Sequence, residues 1–309
     1  MSPRLATSVC GIPLKNPVLA ASGTYAYGVE FKGLVELAEL GGIVVKGLSR
    51  EPMDGNAPPR LFETQAGMIN SVGLQNIGVR AFVRDKLPEL RVIGTPVFAN
   101  VFGYSVEDYV EVVRVLEDAE GLAGQELNVS CPNTKHGGIF FSSDPVLLAE
   151  VVAAARAATI RPLIVKLSPN VARIEPLARA AADAGADAIS LINTFVALAI
   201  DPRTRRPRLG GGFGGLSGPA VKPIALRIVY EAAQAVGIPV IGLGGIATGT
   251  DAAEFLIAGA SAVEVGTASF WDAQAPLRVA RELGRFLEQE GISKVADLVG
   301  TLKFRQGDS

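Results

Sequence analysis

The sequence predicts an α/β protein built as a (β/α)8 (TIM) barrel with an N-terminal hairpin and long βα loops. Apolar strand-like runs alternate with helix-period patterns along all 309 residues, eight such pairs occur, and no break in composition separates them. An open doubly wound sheet is the alternative, although it would not normally need eight units. No motif recurs at a fixed period, which excludes a solenoid. We therefore expect a single domain over residues 1–309.

The elements follow one another in a regular order. A segment at 6–15 reads as a hairpin that could close the barrel floor. The predicted strands are 18–21, 43–46, 97–101, 126–130, 163–167, 188–193, 240–243 and 263–266. The predicted helices are 35–40, 81–90, 106–119, 145–158, 175–184, 219–236, 251–258 and 276–290. Asp144 and Pro145 suit a helix start, and Gly237 suits a stop after residue 236.

The composition and the N-terminal sequence indicate which kinds of binding partner and which cellular compartment to expect. The net charge is −2 and 6% of residues are aromatic, which argues against a nucleic-acid surface. The densest basic run, 203–208, reads as a solvated loop. The N-terminus has no long apolar segment, so we expect neither a signal peptide nor a membrane anchor. Two cysteines and no secretion signal fit a reducing cytoplasm.

Polar residues and glycines recur at the carboxyl ends of the predicted strands, the face on which barrel enzymes carry their chemistry. They are Ser22, Lys46, Asn100, Asn128, Lys166, Asn193, Gly244, Gly245, Gly266 and Thr267. Buried lysines need an anionic or carbonyl partner, so the two here indicate a ligand floor, with a structural salt bridge as the alternative. The long connections 48–79, 131–143 and 194–218 fall on the same face.

The run from Asn128 to Gly138 places a thiol between two carboxamides in a loop. Cys131 could act as base or nucleophile once its surroundings tune its pKa; a buried structural cysteine is the alternative. His136 is the sole histidine and has no partner at metal-ligand spacing, so no zinc site is expected. The same scarcity of histidine excludes an ordinary Ser-His-Asp triad. Acid/base chemistry therefore falls to Cys131, with serine and lysine as alternatives, whereas Cys10 reads as inert packing. The loop 131–143 is expected to close over a bound substrate.

Glycines close the last two strands, at 244–245 and 266. Their N–H groups could approach a phosphate at the usual phosphate site of this barrel, with no room for a Cβ. A tight turn is the alternative for either loop alone. The run 213–218 could extend the cradle or be a flexible lid.

Three motifs together resemble class 1 dihydroorotate dehydrogenases. They are residues 128–138, residues 67–76 and the run Leu191-Ile192-Asn193-Thr194. A cysteine in place of a serine base, and no N-terminal extension, separate the chain from the membrane-associated class 2. The run 135–138 after the cysteine is similar to the NAD-linked subclass 1B.

The resemblance implies a single FMN-binding domain that oxidises (S)-dihydroorotate to orotate in pyrimidine (UMP) biosynthesis. Cys131 would be the base, with Lys46 and Lys166 as further catalytic residues. FMN would be held by Ser22, Lys46, Gly47, Asn100, Asn128, Lys166, Ile192, Gly218, Gly244, Gly245, Gly266 and Thr267. Orotate would be held by Lys46, Asn70, Ser71, Val72, Gly73, Leu74, Asn128, Asn133, Asn193 and Thr194.

In subclass 1B an electron-transfer subunit carries FAD and a 2Fe-2S cluster and passes electrons to NAD, so the resemblance also implies a heterotetramer of two plus two chains. A fumarate-linked class 1A-type enzyme and a dihydropyrimidine dehydrogenase-like flavoenzyme are the nearest alternatives. A Schiff-base aldolase on Lys166 would explain the barrel but not Cys131. A non-catalytic flavin-binding subunit would explain neither Cys131 nor Lys46.

Overall fold

The computed structural model describes residues 2–130, 132–133 and 139–304; of residues 132, 133, 139 and 140 it describes the backbone alone. Eight parallel strands close into a barrel in chain order. They are β3 (Val18–Ala20), β4 (Gly42–Val44), β7 (Val97–Val101), β8 (Gly124–Asn128), β11 (Leu163–Lys166), β12 (Ala188–Leu191), β17 (Val240–Leu243) and β18 (Ala262–Val265). The last strand pairs with the first through Val263 and Val18, which confirms the predicted fold.

Helices surround this barrel and cover its apolar outer surface. They are α1 (Val79–Ala81), α2 (Leu87–Arg91), α3 (Val106–Glu117), α4 (Pro145–Arg156), α5 (Glu175–Asp183), α6 (Lys222–Ala235), α7 (Gly249–Ile257) and α8 (Ala275–Gln289). A π-helical turn, Phe82–Lys86, joins α1 to α2. The Asp144 side chain accepts hydrogen bonds from the N–H groups of Val146 and Leu147, so it caps α4 as predicted.

The predicted helix at 35–40 is wrong. Only a 3-10 turn, Leu37–Glu39, forms there. Six residues followed at once by Gly41 and Gly42 are too few to sustain α-helical hydrogen bonding. Leu37 and Leu40 are nevertheless buried, so the apolar spacing that suggested a helix serves packing of a tighter turn.

The barrel floor is closed by the predicted hairpin. Strands β1 (Thr7–Val9) and β2 (Ile12–Leu14) pair antiparallel. Val9 and Leu14 pack in one cluster with inward-facing barrel residues such as Leu19 and Phe98. This apolar plug seals the amino-terminal end of the barrel and leaves its carboxyl end for a site.

Two of the long connections meet in a four-stranded antiparallel sheet above the barrel mouth. The sheet has the order β13 (Phe195–Leu198), β16 (Phe213–Ser217), β6 (Gly67–Asn70), β5 (Leu61–Thr64). Asn70 of the first connection lies opposite Gly215 of the other. The run 213–218, expected as a cradle or a lid, is therefore mainly a paired strand.

Two smaller hairpins complete the connections. They are β9 (Pro132–Asn133) with β10 (Ile139–Phe140), and β14 (Ile200–Asp201) with β15 (Arg206–Pro207). The basic run 203–208 is exposed throughout, as predicted. None of the helices in the described ranges combines the length and apolar character that crossing a bilayer requires.

Candidate active site

A cavity of about 530 Å³ opens at the carboxyl ends of the barrel strands, beneath the four-stranded sheet. Its size falls in the ~300–1,000 Å³ range of small-molecule sites. Every predicted site residue whose side chain the structure describes lines it. These residues are Ser22, Lys46, Gly47, Asn70, Ser71, Val72, Gly73, Leu74, Asn100, Asn128, Lys166, Ile192, Asn193, Thr194, Gly218, Gly244, Gly245, Gly266 and Thr267.

Three predictions fall on residues whose side chains are not described. Cys131, the predicted base, and His136 lie outside the described residues, and only the backbone of Asn133 is described. The predicted closing of the loop 131–143 is untested for the same reason. These roles stay predictions.

Lys166 ends β11 at the bottom of the cavity. Its ammonium lies 3.4 Å from a carboxylate oxygen of Glu126 and 3.3 Å from one of Glu264, and 3.3 Å from the Ser22 hydroxyl. Burial alone would lower the pKa of this ammonium, but the two carboxylates outweigh burial and raise it. Lys166 is therefore a fixed cation that both joins a buried ion-pair cluster and faces the cavity.

Glu126 and Glu264 are not among the site residues predicted from the sequence, although a signal for them is present in it. Both are charged residues inside predicted barrel strands, Glu264 in an otherwise apolar one, and both are fully buried. A glutamate in such a position needs a charged partner inside the barrel. The structural salt bridge considered as an alternative for the two lysines is thus real at Lys166.

Lys46 differs in this respect. The described residues provide no carboxylate within ion-pair distance of its ammonium. Burial, and then the nearby charge of Arg60, lower the pKa of Lys46. A half-buried ammonium without a carboxylate counterion, beside a cavity, is suited to an anionic ligand.

Asn128 and Asn193 are joined by a hydrogen-bond network on the cavity wall. The Asn193 amide donates to the Asn128 side-chain oxygen at 3.1 Å and to the Ser130 hydroxyl at 2.9 Å. The Asn193 oxygen accepts from the Thr194 N–H at 2.8 Å, and the Tyr109 hydroxyl donates to the Asn128 carbonyl at 2.7 Å. The two carboxamides are thereby held in fixed orientations, as recognition of a planar polar ligand requires.

The segment 70–74 forms another part of the cavity wall, and buried Asn76 anchors it. The Asn76 amide donates to the Leu74 carbonyl at 2.9 Å and to the Ser49 hydroxyl at 2.8 Å, while its oxygen accepts from the Gly78 N–H. At the other end, the Asn70 amide donates to the Gly215 carbonyl at 3.2 Å. The segment is thus fixed at both ends.

The glycines after β17 and β18 fill two roles. Gly244 and Gly245 have φ of 125° and 78°, and a Cβ on Gly245 would lie 2.8 Å from the Gly218 oxygen and from the Lys222 Cβ. The protein itself therefore requires glycine there. At Gly266 a Cβ would meet only Ala21 and Thr24 at 3.5 Å or more. Any exclusion of a Cβ at Gly266 would have to come from a ligand.

Cys10 lies in the floor hairpin, far from the cavity mouth. Its thiol donates to the Asp187 carbonyl at 3.4 Å. Burial, and then the charge of Asp187, raise the pKa of Cys10 to about 12. A thiol held protonated in this way is unreactive near neutral pH, which agrees with the prediction of inert packing.

The fold and the cavity define a (β/α)8-barrel enzyme whose site, at the carboxyl ends of the strands, combines cations, carboxamides and glycine loops. The chain belongs to the dihydroorotate dehydrogenase family, whose model matches residues 4–287, and it is accordingly an oxidoreductase.

Relatives along the full length of the chain support this. A Solibacter usitatus protein, provisionally named dihydroorotate dehydrogenase A (fumarate), is 77% identical over 98% of this chain and all of its own length. Catalytic subunits of dihydroorotate dehydrogenase B (NAD(+)) from Geobacter metallireducens and Geobacter sulfurreducens are 53% and 54% identical, over 97% of this chain and 99% of theirs. A crystal structure of DHODH from Eimeria tenella in complex with ferulenol shares the fold, with a TM-score of 0.81 at 24% identity, over 97% of this chain and 89% of that one.

Proposed function

We propose that the chain is an FMN-dependent catalytic subunit that oxidises (S)-dihydroorotate to orotate, with Cys131 as the base. The observation that carries this proposal is a single cavity lined by the Lys166 ammonium, the Asn128–Asn193 network and the glycine loops at 244–245 and 266. Family membership supplies the reaction class, and the cavity supplies groups that fit its ligands.

The residues present fit FMN. Glycine loops after the last two strands suit a phosphate, and Gly266 lines the cavity at a position where the protein itself would accept a Cβ. Thr267, whose hydroxyl donates to Ser217 at 2.8 Å, would close this end. Ser22, Lys46, Gly47, Asn100, Asn128, Lys166, Ile192 and Gly218 would hold the rest. When bound, FMN would supply the acceptor for the hydride that leaves carbon 6 of dihydroorotate.

The chain's own residues would bind and deprotonate the substrate. Lys46, with no carboxylate counterion among the described residues, would pair with the substrate carboxylate. The fixed carboxamides of Asn128 and Asn193 would match the amide edges of the pyrimidine. Cys131 would take the proton from carbon 5. Asn133, Thr194 and the segment 70–74 would complete the substrate site.

The electron acceptor separates two versions of this function. The B-type names of the Geobacter relatives favour NAD through a partner subunit that carries FAD and a 2Fe-2S cluster, in a heterotetramer of two plus two chains. The fumarate name of the Solibacter relative, which has the higher identity, favours a fumarate-linked enzyme of the class 1A type. We propose the NAD-linked version, in the cytoplasm, and retain the fumarate-linked one as the second candidate.

Purified chain should be yellow and should be bleached by dihydroorotate without oxygen. Turnover is then compared with fumarate and with NAD, each with and without an FAD/2Fe-2S subunit. NAD reduction only with that subunit would support the proposal, whereas turnover of the isolated chain with fumarate would establish the second candidate. A colourless protein that binds no added FMN would overturn both.

A further inference from the structure

At the bottom of the cavity the Lys166 ammonium lies beside two carboxyl groups, both of which are fully buried. Glu126 lies on β8 two residues before Asn128, and Glu264 lies on β18 two residues before Gly266, which follows the strand. Because side chains alternate along a strand, both glutamates point into the barrel one layer deeper than the cavity-lining residues. Glu126 and Glu264 are fully buried, so their charges must be balanced within the cluster.

The cluster of Lys166, Glu126 and Glu264 is neutral only if one of the two carboxyl groups is protonated. Lys166 supplies one positive charge, while Glu126 and Glu264 would supply two negative ones. Among the described residues, Glu126 and Lys166 are the charged groups that act on Glu264, and the strands that flank β18, β3 and β17, are apolar. Two fully buried carboxyl groups that share one ammonium, at 3.4 and 3.3 Å, cannot both be ionised without leaving one negative charge uncompensated and away from water.

The hydrogen-bond donors decide which carboxyl group holds the proton. Glu126 accepts from the Asn100 amide at 2.6 Å, from the Ser190 hydroxyl at 2.8 Å and from Lys166. Glu264 accepts only from Lys166 among the described residues, and its Oε1 is buried with no donor directed at it. Three donors stabilise the ionised form of Glu126. The Glu264 Oε1 has no such donor, so the proton is placed on Glu264.

We propose that Glu264 is a positioning residue. As a carboxylic acid it donates its proton to Glu126, so that the Lys166 ammonium pairs with one carboxylate and not two. The ammonium then remains directed towards the cavity from its floor. With the proton present the cluster is neutral, and the ammonium can interact with an electron-rich ligand above it. Without the proton the cluster carries one net negative charge, and Lys166 is held between two carboxylates. This inference rests on the proposed FMN site only for its effect on binding.

The surrounding charges set the pH at which Glu264 loses its proton. Burial, and then the charge of Glu126, raise the pKa of Glu264 to about 8, against the attraction of Lys166. Burial would raise the pKa of Glu126, but the charge of Lys166 and hydrogen bonds from Glu264, Ser190 and Asn100 outweigh burial and lower it. The proton should therefore remain on Glu264 at neutral pH and leave it as pH rises through about 8.

The first test detects the proton directly in ligand-free protein. The carboxylic-acid C=O stretch in the infrared should be present at pH 7, disappear as pH rises through about 8, and be missing in Glu264→Gln. Glutamine has the same shape and donates permanently to Glu126. Glu288→Gln, at an exposed position on α8, is the matched control and should keep the band. An identical band in wild type and Glu264→Gln would overturn the proposal.

The second test measures FMN affinity by quenching of flavin fluorescence between pH 6 and 10. Wild-type affinity should fall above about pH 8, up to tenfold per pH unit, while Glu264→Gln should show a flat profile. The same pH dependence in both proteins would overturn the positioning role. A protein that shows the infrared change but binds no FMN would support the proton on Glu264 and overturn the proposed function instead.

Discussion

The side-chain amide of Asn193 donates a hydrogen bond across 3.1 Å to the side-chain oxygen of Asn128. Asn128 ends β8 and Asn193 follows β12, and β11 lies between these two strands, so the contact links segments of strands that are not neighbours. It fixes the directions in which two predicted substrate ligands present their remaining hydrogen-bonding groups.

Asn193→Ala should weaken orotate binding by about 1.5–3 kcal/mol, roughly ten- to a hundredfold. The substitution removes one ligand and one of the two hydrogen bonds that hold the Asn128 side-chain oxygen, the other being the bond from the Ser130 N–H. Orotate affinity would be measured from the perturbation of the flavin spectrum, with FMN content as the internal control. A variant with full FMN content and wild-type orotate affinity would exclude Asn193 from the substrate site.

Replacement of Lys166 and replacement of Lys46 should have different effects on the free energy of unfolding. Lys166→Met leaves Glu126 and Glu264 buried without a cation, so the ligand-free protein should lose about 3–5 kcal/mol of unfolding free energy at neutral pH. Both carboxyl groups would then have pKa values raised above those of the unfolded chain, so stability should be regained as pH falls below those values.

Lys46→Met is the matched control for that experiment. Burial and Arg60 lower the pKa of Lys46 in the folded state, so its ammonium opposes folding below its unfolded pKa. Stability at neutral pH should therefore stay unchanged or rise, while orotate binding is lost. Urea unfolding of both variants decides the question, and equal losses would contradict the contrast between the two sites.

Cys131→Ser should keep FMN and orotate binding but lose about a hundredfold or more of its turnover near neutral pH. A serine hydroxyl is a far weaker base, so the rising limb of the pH profile should move to higher pH. Cys10→Ser is the control and should keep full turnover, because Cys10 is distant and its thiol stays protonated. Near-normal activity of Cys131→Ser at pH 7 would remove Cys131 from the role of base.

Gly266→Ala should lower FMN affinity by about 1–3 kcal/mol, roughly five- to a hundredfold, if a phosphate lies against this glycine. The protein has room for the added methyl group, whereas Gly245→Val would clash with Gly218 and Lys222 and disturb the fold without any ligand. Gly237→Ala, where a Cβ meets nothing within 4 Å, is the control. Flavin content after gel filtration measures the effect, and full retention in Gly266→Ala would place the phosphate elsewhere.

Local pattern predicted most of the barrel, because most of its strands are short apolar runs that can be recognised without knowledge of the neighbouring strands. The strand Val97–Val101 was predicted with its observed bounds, and Val240–Leu243 likewise. The failure at 35–40 has a local cause as well, since spacing of leucines does not distinguish one 3-10 turn from a short helix.

Non-local pairing accounts for what the sequence did not predict. Asn70 and Gly215 are 145 positions apart, and a strand such as Phe213–Ser217, with two glycines, shows no alternation of apolar side chains. Glu126 and Glu264 are visible as charges in the sequence, but their contact depends on two strands that face each other across the closed barrel. Motif resemblance found the cavity residues because it does not depend on such pairing.

The four-stranded sheet has a consequence for protein engineering. Residues 61–70 and 195–217 come from different βα connections, yet they share one set of backbone hydrogen bonds through β6 and β16. Transplanting either connection alone into another barrel would leave an unpaired strand edge over the cavity. A change of substrate preference by loop exchange would therefore require both connections to be moved together, as one cassette with its Asn70–Gly215 register intact.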